Sequence, residues 1–310
     1  MSGENKNRKL SQQEQELWAA TQEGIPIERA RAYIELAELE KDNYNFKDAV
    51  ALYDTALDLI EAESEIDYAP ELAQVLYEKA GLLSFLKMYE EEIEVIDKAI
   101  DVAAQYGVGD VGSLLRAAGR AFHALKDDES SYRSHQIALE YPDPDVTENM
   151  IAIDQLNIGI SLARLKRFDE AIERLHIAQD HFWNLGEPKW VAICDGELAE
   201  IYVELNDGIN VEYYGRLALG TAEMLEDRHR QWWLHYYMGI AKRLQGDLDE
   251  SIEHLEAGRG FALSYGCEEF RYLAKVDREL AGIYVTKGMV MQAQELERRA
   301  RNVEEILEVA

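Results

Sequence analysis

The fold of this 310-residue chain is decided by one stretch, residues 157–186, which reads NIGISLARLKRFDEAIERLHIAQDHFWNLG. Small and large apolar residues recur in it at the spacing of a helix that buries one face, and polar residues near Arg167 interrupt the pattern. The stretch therefore predicts two antiparallel helices joined by a short turn. The expected packing residues of the pair are Gly159, Leu162, Phe168, Ala171, Leu175 and Ala178.

The small residues of this unit recur seven times along the chain. Late in each predicted second helix only Ala or Gly occurs, at successive spacings of 43, 39, 40, 40, 40 and 42, namely at Ala56, Ala99, Ala138, Ala178, Ala218, Gly258 and Ala300. Nineteen positions before each lies another small residue: Ala37, Ala80, Gly119, Gly159, Ala199, Gly239 and Ala281. Because a larger side chain would push paired helices apart, the two rows predict seven closely packed helix pairs.

Two further positions recur in each of the seven predicted helix pairs, and each gives a row of residues. At the turn within each pair the residues are Phe46, Tyr89, Asp128, Phe168, Gly208, Leu248 and Val290, of which Asp128 and Gly208 fit an apolar plug less well. Seven positions before the late small residue lie Ala49, Glu92, Ser131, Ala171, Val211, Ser251 and Ala293. Glu92 is the exception in that row, so we expect the second pair to pack less tightly there.

These rows resemble the tetratricopeptide repeat superfamily over about residues 27–309. The usual repeat has about 34 residues, and the additional residues here fall between consecutive repeats. Such long repeats, of about 40 residues, are similar to those of kinesin light chains, mitotic-spindle adaptor proteins and bacterial peptide-pheromone receptors. The resemblance implies an all-α fold: a right-handed superhelical solenoid of about seven helix-turn-helix repeats with an N-terminal capping helix.

The expected organisation is one continuous array. Residues 1–10 are predicted to be disordered, and residues 11–26 to form the capping helix and its turn, which Ser11 and Glu14 begin with a capping box. The five prolines all fall between predicted repeats, and we expect none inside a helix. The solenoid spans 27–310, with repeats at approximately 27–66, 67–109, 110–146, 147–187, 188–228, 229–268 and 269–310.

The net charge of the chain indicates which classes of partner it favours. Asp and Glu total 61 against 32 Lys and Arg, which gives a formal net charge of −29. Such a charge disfavours direct contact with nucleic acid or anionic membrane and favours partners with a basic surface, although solubility alone is an equally good explanation. Two distant cysteines, no signal peptide and no stretch apolar enough to span a membrane predict a cytoplasmic protein.

Catalytic and cofactor motifs are not supported. Gly107, Gly109 and Gly112 match the dinucleotide pattern G-x-G-x-x-G, but a predicted helix precedes them where that site needs a strand, so we interpret them as a helix end and turn. The seven histidines show no metal-ligand spacing. We therefore expect no enzyme activity, no cofactor and no metal.

In tetratricopeptide arrays the first helices line a groove, and the resemblance places several residues of this chain there. Asn157 occupies the position at which many peptide-binding arrays hold the ligand backbone with an asparagine, whose amide both donates and accepts hydrogen bonds; a solvated side chain is the alternative. Arg116, Arg120 and Arg164 are expected to bind a carboxylate, or else to pair with neighbouring glutamates.

Two first helices differ in character. The fifth repeat is acidic, with Glu197, Glu200 and Glu204. The sixth carries Trp232 and, as candidate partner contacts, Trp233, Tyr236, Tyr237 and Arg243. Aromatic residues at helical spacing belong more often to the core than to a pocket, but these cannot all face the same way, so we expect at least one at the groove or surface.

The sequence thus predicts a non-catalytic scaffold that binds a peptide or a partner helix in its groove. The alternative is a peptide-responsive regulator similar to bacterial pheromone receptors but without a DNA-binding domain, because only about 25 residues precede the first repeat. Self-association through the C-terminal helix remains open.

Overall fold

The computed structural model describes residues 11–63, 65–141, 146–265 and 270–309, and the predicted disorder of residues 1–10 lies outside them. Every regular element of the described part is a helix. No helix of this part is long and apolar enough to cross a membrane. The helices are α1 Gln12–Ala20, α2 Pro26–Asp42, α3 Phe46–Glu61, α4 Glu65–Phe85, α5 Tyr89–Tyr106, α6 Val111–Ala124, α7 Asp128–Glu140, α8 Glu148–Arg164, α9 Phe168–Leu185, α10 Pro188–Glu204, α11 Gly208–Met224, α12 Arg228–Gln245, α13 Leu248–Tyr265, α14 Phe270–Thr286 and α15 Val290–Val309.

From α2 onward the helices pack as consecutive antiparallel pairs, from α2 with α3 to α14 with α15. The all-α fold of about seven helix pairs is therefore confirmed. The chain forms two compact units, residues 1–146 and 147–310. The first contains α1 to α7 and the second α8 to α15. The limits of the individual repeats remain a prediction.

The first helix begins with the capping box expected from the sequence. The Glu14 backbone N–H donates to Ser11 Oγ at 3.2 Å, and the Ser11 N–H donates to Glu14 Oε2 at 2.6 Å. The α1 helix packs on α2, where the rings of Trp18 and Tyr33 meet edge to face with centroids 6.3 Å apart. Its apolar residues thus cover the first helix pair.

The two rows of small residues form the contacts inside the helix pairs. All fourteen members are buried. A β-carbon at Gly159 would lie 2.8 Å from Leu175 Cγ, and one at Gly239 would lie 2.6 Å from Leu255 Cγ. These distances are too short for a methyl group, so the backbones approach as closely as the sequence pattern indicates.

The turns within the seven pairs share one backbone conformation. Each turn-row residue, from Phe46 to Val290, is the first residue of its second helix. The residue two positions earlier has a positive φ in every pair, a conformation that favours glycine. These residues are Tyr44, Lys87, Lys126, Lys166, Asn206, Gly246 and Gly288.

Glu92, the exception in its row, is buried with its side chain only 1% exposed. Burial raises the pKa of its carboxyl, while a hydrogen bond with Ser84 and the charge of Arg120 lower it. The helix pair α4–α5 therefore accommodates the carboxyl inside its core and does not open a gap to solvent at this point.

The expectation that no proline lies inside a helix is wrong for Pro70, while Pro26 and Pro188 are the first residues of their helices and Pro142 and Pro144 lie outside the described residues. Pro70 lies inside the bounds of α4, which is kinked at Tyr68 with φ −123° and ψ 16°. Because Pro70 follows this break by two residues, it stands in the first turn of the segment beyond the kink. A proline is tolerated there since the N–H groups of a first helical turn have no partner within the helix.

Candidate partner-binding surface

In the second unit the first helices of successive pairs contact one another: α8 contacts α10, α10 contacts α12, and α12 contacts α14. We call the surface they share the first-helix face. Of the eight residues predicted to bind a partner, six lie on these helices, namely Asn157, Arg164, Trp233, Tyr236, Tyr237 and Arg243. The other two, Arg116 and Arg120, lie on α6 of the first unit.

Between α8 and α10 the first-helix face contains a cleft of about 420 Å³, called here the α8–α10 cleft. Apolar side chains from α8, α9 and α10 form part of its wall, and charged side chains form the rest. Its lining residues are Ile160, Ala163, Arg164, Lys166, Phe168, Glu197, Glu200, Ile201 and Glu204. Such a combination suits a side chain that is apolar along its stem and charged at its tip.

The carboxylates of the cleft interact unfavourably with one another. Burial raises the pKa of Glu197 to about 7, the neighbouring Glu200 adds to the rise, and the positive charge of Arg164 opposes it. Glu200 and Glu204 are exposed. A cation entering the cleft would therefore relieve repulsion among the carboxylates and favour the ionised form of Glu197.

Two tyrosines continue the face onto α12. Tyr237 is 9% exposed and is hydrogen-bonded to Glu200, and burial raises the pKa of its hydroxyl well above the usual range. The pKa of the half-buried Tyr236 is raised to about 12, first by burial and then by the charge of Glu279. Both hydroxyls thus remain protonated donors beside carboxylates at neutral pH.

Arg243, the last candidate on α12, is already paired. Its Nε lies 2.9 Å from Glu279 Oε2 of α14. Arg243 thus forms an ion pair between α12 and α14, and its role as a partner contact stays a prediction. Arg164 also lies near a carboxylate, since its charge acts on Glu197.

The two tryptophans of α12 contribute to the core. A β-carbon at Gly196 would lie 2.3 Å from Trp233 Cη2, so the indole of Trp233 packs directly on the α10 backbone. Trp232 meets Tyr272 of α14 with ring centroids 3.9 Å apart, and its backbone oxygen accepts a hydrogen bond from the Tyr272 hydroxyl at 2.6 Å. Both indoles therefore hold neighbouring first helices together.

Asn157 and Arg164 lie seven residues apart on one side of α8, with Asn157 half-buried and Arg164 exposed. Only Arg164 lines the α8–α10 cleft. The role of Asn157 in holding a ligand backbone stays a prediction.

Arg116 is buried, and its predicted role in binding a carboxylate or pairing with a glutamate stays a prediction. Its side chain is 5% exposed among the apolar residues of α6, such as Leu114 and Ala118. Arg120, one turn further along α6, is exposed, and its charge acts on Glu92. Helical spacing placed the two arginines on one side of α6, but it did not distinguish the buried position from the exposed one.

Sequence reasoning noted the acidity of α10 but did not select its glutamates as a site. The cleft depends on α8 and α10 packing side by side, which no local pattern shows. One cleft residue was predicted from the sequence for a different reason: Phe168, one of the turn residues, begins α9 and also lines the cleft. Within the described residues no group of three or more His, Cys, Asp or Glu side chains could hold a metal ion.

No family model and no curated protein matches the sequence. Among solved structures, the chain is similar to the apo form of RapI, with 16% identity, a TM-score of 0.62, and coverage of 91% of this chain and 99% of that one. It is similar to the Rap conjugation gene regulator of plasmid pLS20 in complex with the Phr* peptide, with 14% identity, a TM-score of 0.52, and coverage of 99% and 80%.

A third similar structure is a signal-transduction ATPase with numerous domains from Pyrococcus horikoshii, which has a tetratricopeptide repeat sensor. The identity is 15%, the TM-score is 0.68, and the match covers 96% of this chain but 45% of that protein. At these identities the likeness concerns the fold alone. The fold of this chain is an all-α array of helix pairs like that of tetratricopeptide-repeat proteins, as the sequence pattern indicated.

Proposed function

We propose that this protein is a non-catalytic interaction module that binds a peptide or partner helix with a basic surface on the first-helix face of its second unit. The observation that carries the proposal is the α8–α10 cleft, in which exposed Glu200 and Glu204 lie beside apolar side chains. A lysine or arginine side chain would place its alkyl stem on the apolar wall and its charge among the carboxylates.

The fold supports binding as the general function. A stack of helix pairs presents an extended surface, and helix-in-groove or peptide binding is its common use. One structure of similar fold, the Rap regulator of plasmid pLS20, contains a bound Phr* peptide. A peptide-responsive regulator is accordingly the second candidate, in which a bound peptide changes how the array contacts another protein.

Binding to the cleft can be tested with a defined probe, a lysine-rich amphipathic model helix labelled with a fluorophore. Glu204→Lys should weaken binding of this helix at least roughly tenfold, because it replaces an attractive charge at the cleft with a repulsive one. Glu204 is exposed, so the substitution should leave the melting temperature almost unchanged. Fluorescence anisotropy measures the affinity.

The matched control is Glu223→Lys, which makes the same change of net charge at an exposed position of α11. Equal loss of affinity in the two variants would mean that the helix responds only to total charge, and the cleft would not be the binding site. The regulator alternative predicts a further result: a short peptide that co-purifies with the protein and raises its melting temperature progressively as the peptide concentration increases.

A further inference from the structure

The first unit contains a pocket of its own, of about 460 Å³, between α4, α6 and the connection from α5 to α6. Most of its wall is apolar, formed by side chains such as Pro70, Ala73, Val108 and Leu114. We call it the α4–α6 pocket. A volume in the range of about 300–1,000 Å³ and a largely apolar lining are typical of pockets that bind a ligand.

The glycine motif that resembled a dinucleotide site builds one wall of this pocket. Gly107 ends α5 with φ 68°, and Gly109 follows with φ 81°. Both values lie in the left-handed region, where glycine avoids the strain that a side chain would cause. A β-carbon at Gly109 would lie 3.6 Å from the Ala73 β-carbon, so the connection passes directly over α4.

A phosphate group does not fit this pocket. Asp110 caps α6, and its Oδ1 accepts a hydrogen bond from the Ser113 N–H at 3.0 Å. The helix N-terminus is thus already satisfied by a carboxylate, which would repel a second anion. None of the described residues that line the pocket is a lysine or arginine.

The polar groups of the pocket stand at its rim. Gln74, Tyr77 and Asp110 are exposed, and 49% of Tyr77 is accessible to solvent. The rim therefore offers an aromatic face, an amide and one negative charge around an apolar interior. Such a rim complements a large apolar side chain that has a cation next to it, and the net charge of −29 favours the same partner.

We infer that the α4–α6 pocket is a second binding site, which takes a large apolar side chain of a partner segment with a Lys or Arg beside Asp110. The apolar side chain lies against Ala73, Val108 and Leu114, and the cation contacts the carboxylate of Asp110 and the ring of Tyr77. This site lies in a different unit from the α8–α10 cleft and stands whether or not that cleft binds a partner.

The probe for this site is the blocked dipeptide acetyl-Phe-Lys-amide, titrated into the ¹⁵N-labelled full chain and followed by two-dimensional NMR. Saturable shifts are expected at the amides of Val108, Gly109 and Asp110. Replacing Phe by Ala in the probe should weaken binding at least roughly tenfold, because the buried apolar group is lost. Replacing Lys by Glu should weaken it roughly threefold or more, since the ion pair becomes a repulsion.

Two variants separate the contributions of shape and charge. Ala73→Leu fills the pocket and should abolish the shifts. Asp110→Asn keeps an acceptor for the Ser113 N–H, because asparagine is as good a helix cap as aspartate, and should remove only the preference for Lys over Glu. Melting temperatures close to that of the unmodified protein would exclude unfolding as the cause.

Several results would overturn the inference. Equal binding of the Lys and Glu probes, or shifts confined to residues outside the pocket, would do so. Displacement of the probe by ATP would instead assign the pocket to a nucleotide. Shifts that appear on concentrating the protein without any probe would assign it to a second copy of the chain.

Discussion

The Nδ1 atoms of His235 and His254 lie 3.0 Å apart across the α12–α13 pair. A hydrogen bond between them requires that one ring donates and the other accepts, so the pair cannot hold with both rings protonated. Burial, followed by the charge of His254, lowers the pKa of His235 to about 4, and burial is also the largest cause of the lowered pKa of His254. The charges that act on His254 are Lys242, which opposes protonation, and Glu212, Glu250 and Glu253, which favour it.

The folding stability should therefore fall as the pH is lowered from the pKa of an unfolded histidine to the lowered pKa values of this pair. The unfolded chain binds protons at a histidine pKa of about 6.5, whereas folded His235 does so near 4. Between these values the unfolded state holds more protons, so its free energy falls relative to the folded state as the pH drops. We expect a loss on the order of 2–3 kcal/mol from this residue between pH 6.5 and 4.

The measurement is urea denaturation of the unmodified protein and of His235→Leu across that pH range. Carboxyl groups elsewhere contribute equally to both proteins, so the difference between them isolates the His235–His254 pair. The free energy of unfolding of the unmodified protein minus that of the variant should decrease towards acid pH, because the unmodified protein loses stability there. A difference that is constant with pH would mean that His235 titrates normally in the folded state.

Asp195 should show the opposite dependence on pH. Its side chain is 3% exposed and accepts a hydrogen bond from Gln179 Nε2 at 2.6 Å, and burial raises its pKa to about 7. The folded state therefore binds the proton more tightly, and the stability associated with this group is lost as the pH rises from about 4 to about 7.

Replacing the carboxyl of Asp195 with an amide removes this loss of stability at high pH. Asp195→Asn keeps an oxygen to accept from Gln179 and has no charge to bury, so it should be more stable than the unmodified protein at pH 8, on the order of 2 kcal/mol. The two should be nearly equal at pH 4. Thermal melting at both values tests this, and a variant that is less stable at pH 8 would show that Asp195 is ionised and well compensated.

The sequence predicts some features of this fold and not others. The pairing of helices follows from Ala and Gly at fixed spacing, because each such residue marks a close approach that only small side chains allow. The positive φ of Lys87, Lys126 and Lys166 could not be predicted, since lysine has no preference for that conformation and tolerates it only because the turn requires it.

The candidate site shows the same limit. The acidic character of α10 is plain in the sequence, but its carboxylates form a cleft only because α8 lies beside them, and this is a tertiary contact. The burial of Arg116 and the packing of Trp233 on Gly196 are likewise set by neighbouring helices. Periodicity identifies the face of a helix, whereas exposure depends on what packs against it.

The close approach at Gly159 gives a prediction with a built-in control. A β-carbon there would lie 2.8 Å from Leu175 Cγ and 3.4 Å from the Ala171 oxygen. Gly159→Ala should therefore destabilise the α8–α9 pair by about 1–3 kcal/mol through overpacking. The unfolding free energy from urea denaturation measures the change.

Gly282 provides the matched substitution. It lies within α14, it is exposed, and nothing lies within 4 Å of the position of its β-carbon. Gly282→Ala should stabilise the protein by about 0.5–1 kcal/mol, because alanine has the higher helix propensity. If both substitutions changed stability in the same direction, close packing at Gly159 would not be the reason for its glycine.

The shared turn conformation predicts that one lysine is better replaced by glycine. Lys126 is exposed, has φ 64°, and follows the end of α6, where a left-handed glycine is the common helix termination. Lys126→Gly should stabilise the protein by about 0.5–1 kcal/mol, because the strain of the left-handed conformation exceeds the entropy that glycine adds to the unfolded chain.

The control is Lys275→Gly, at an exposed position within α14, which should destabilise the protein by about 1 kcal/mol. Urea denaturation of the two variants should give changes of opposite sign, and a loss of stability in both would mean that the turn after α6 does not impose the left-handed conformation on residue 126.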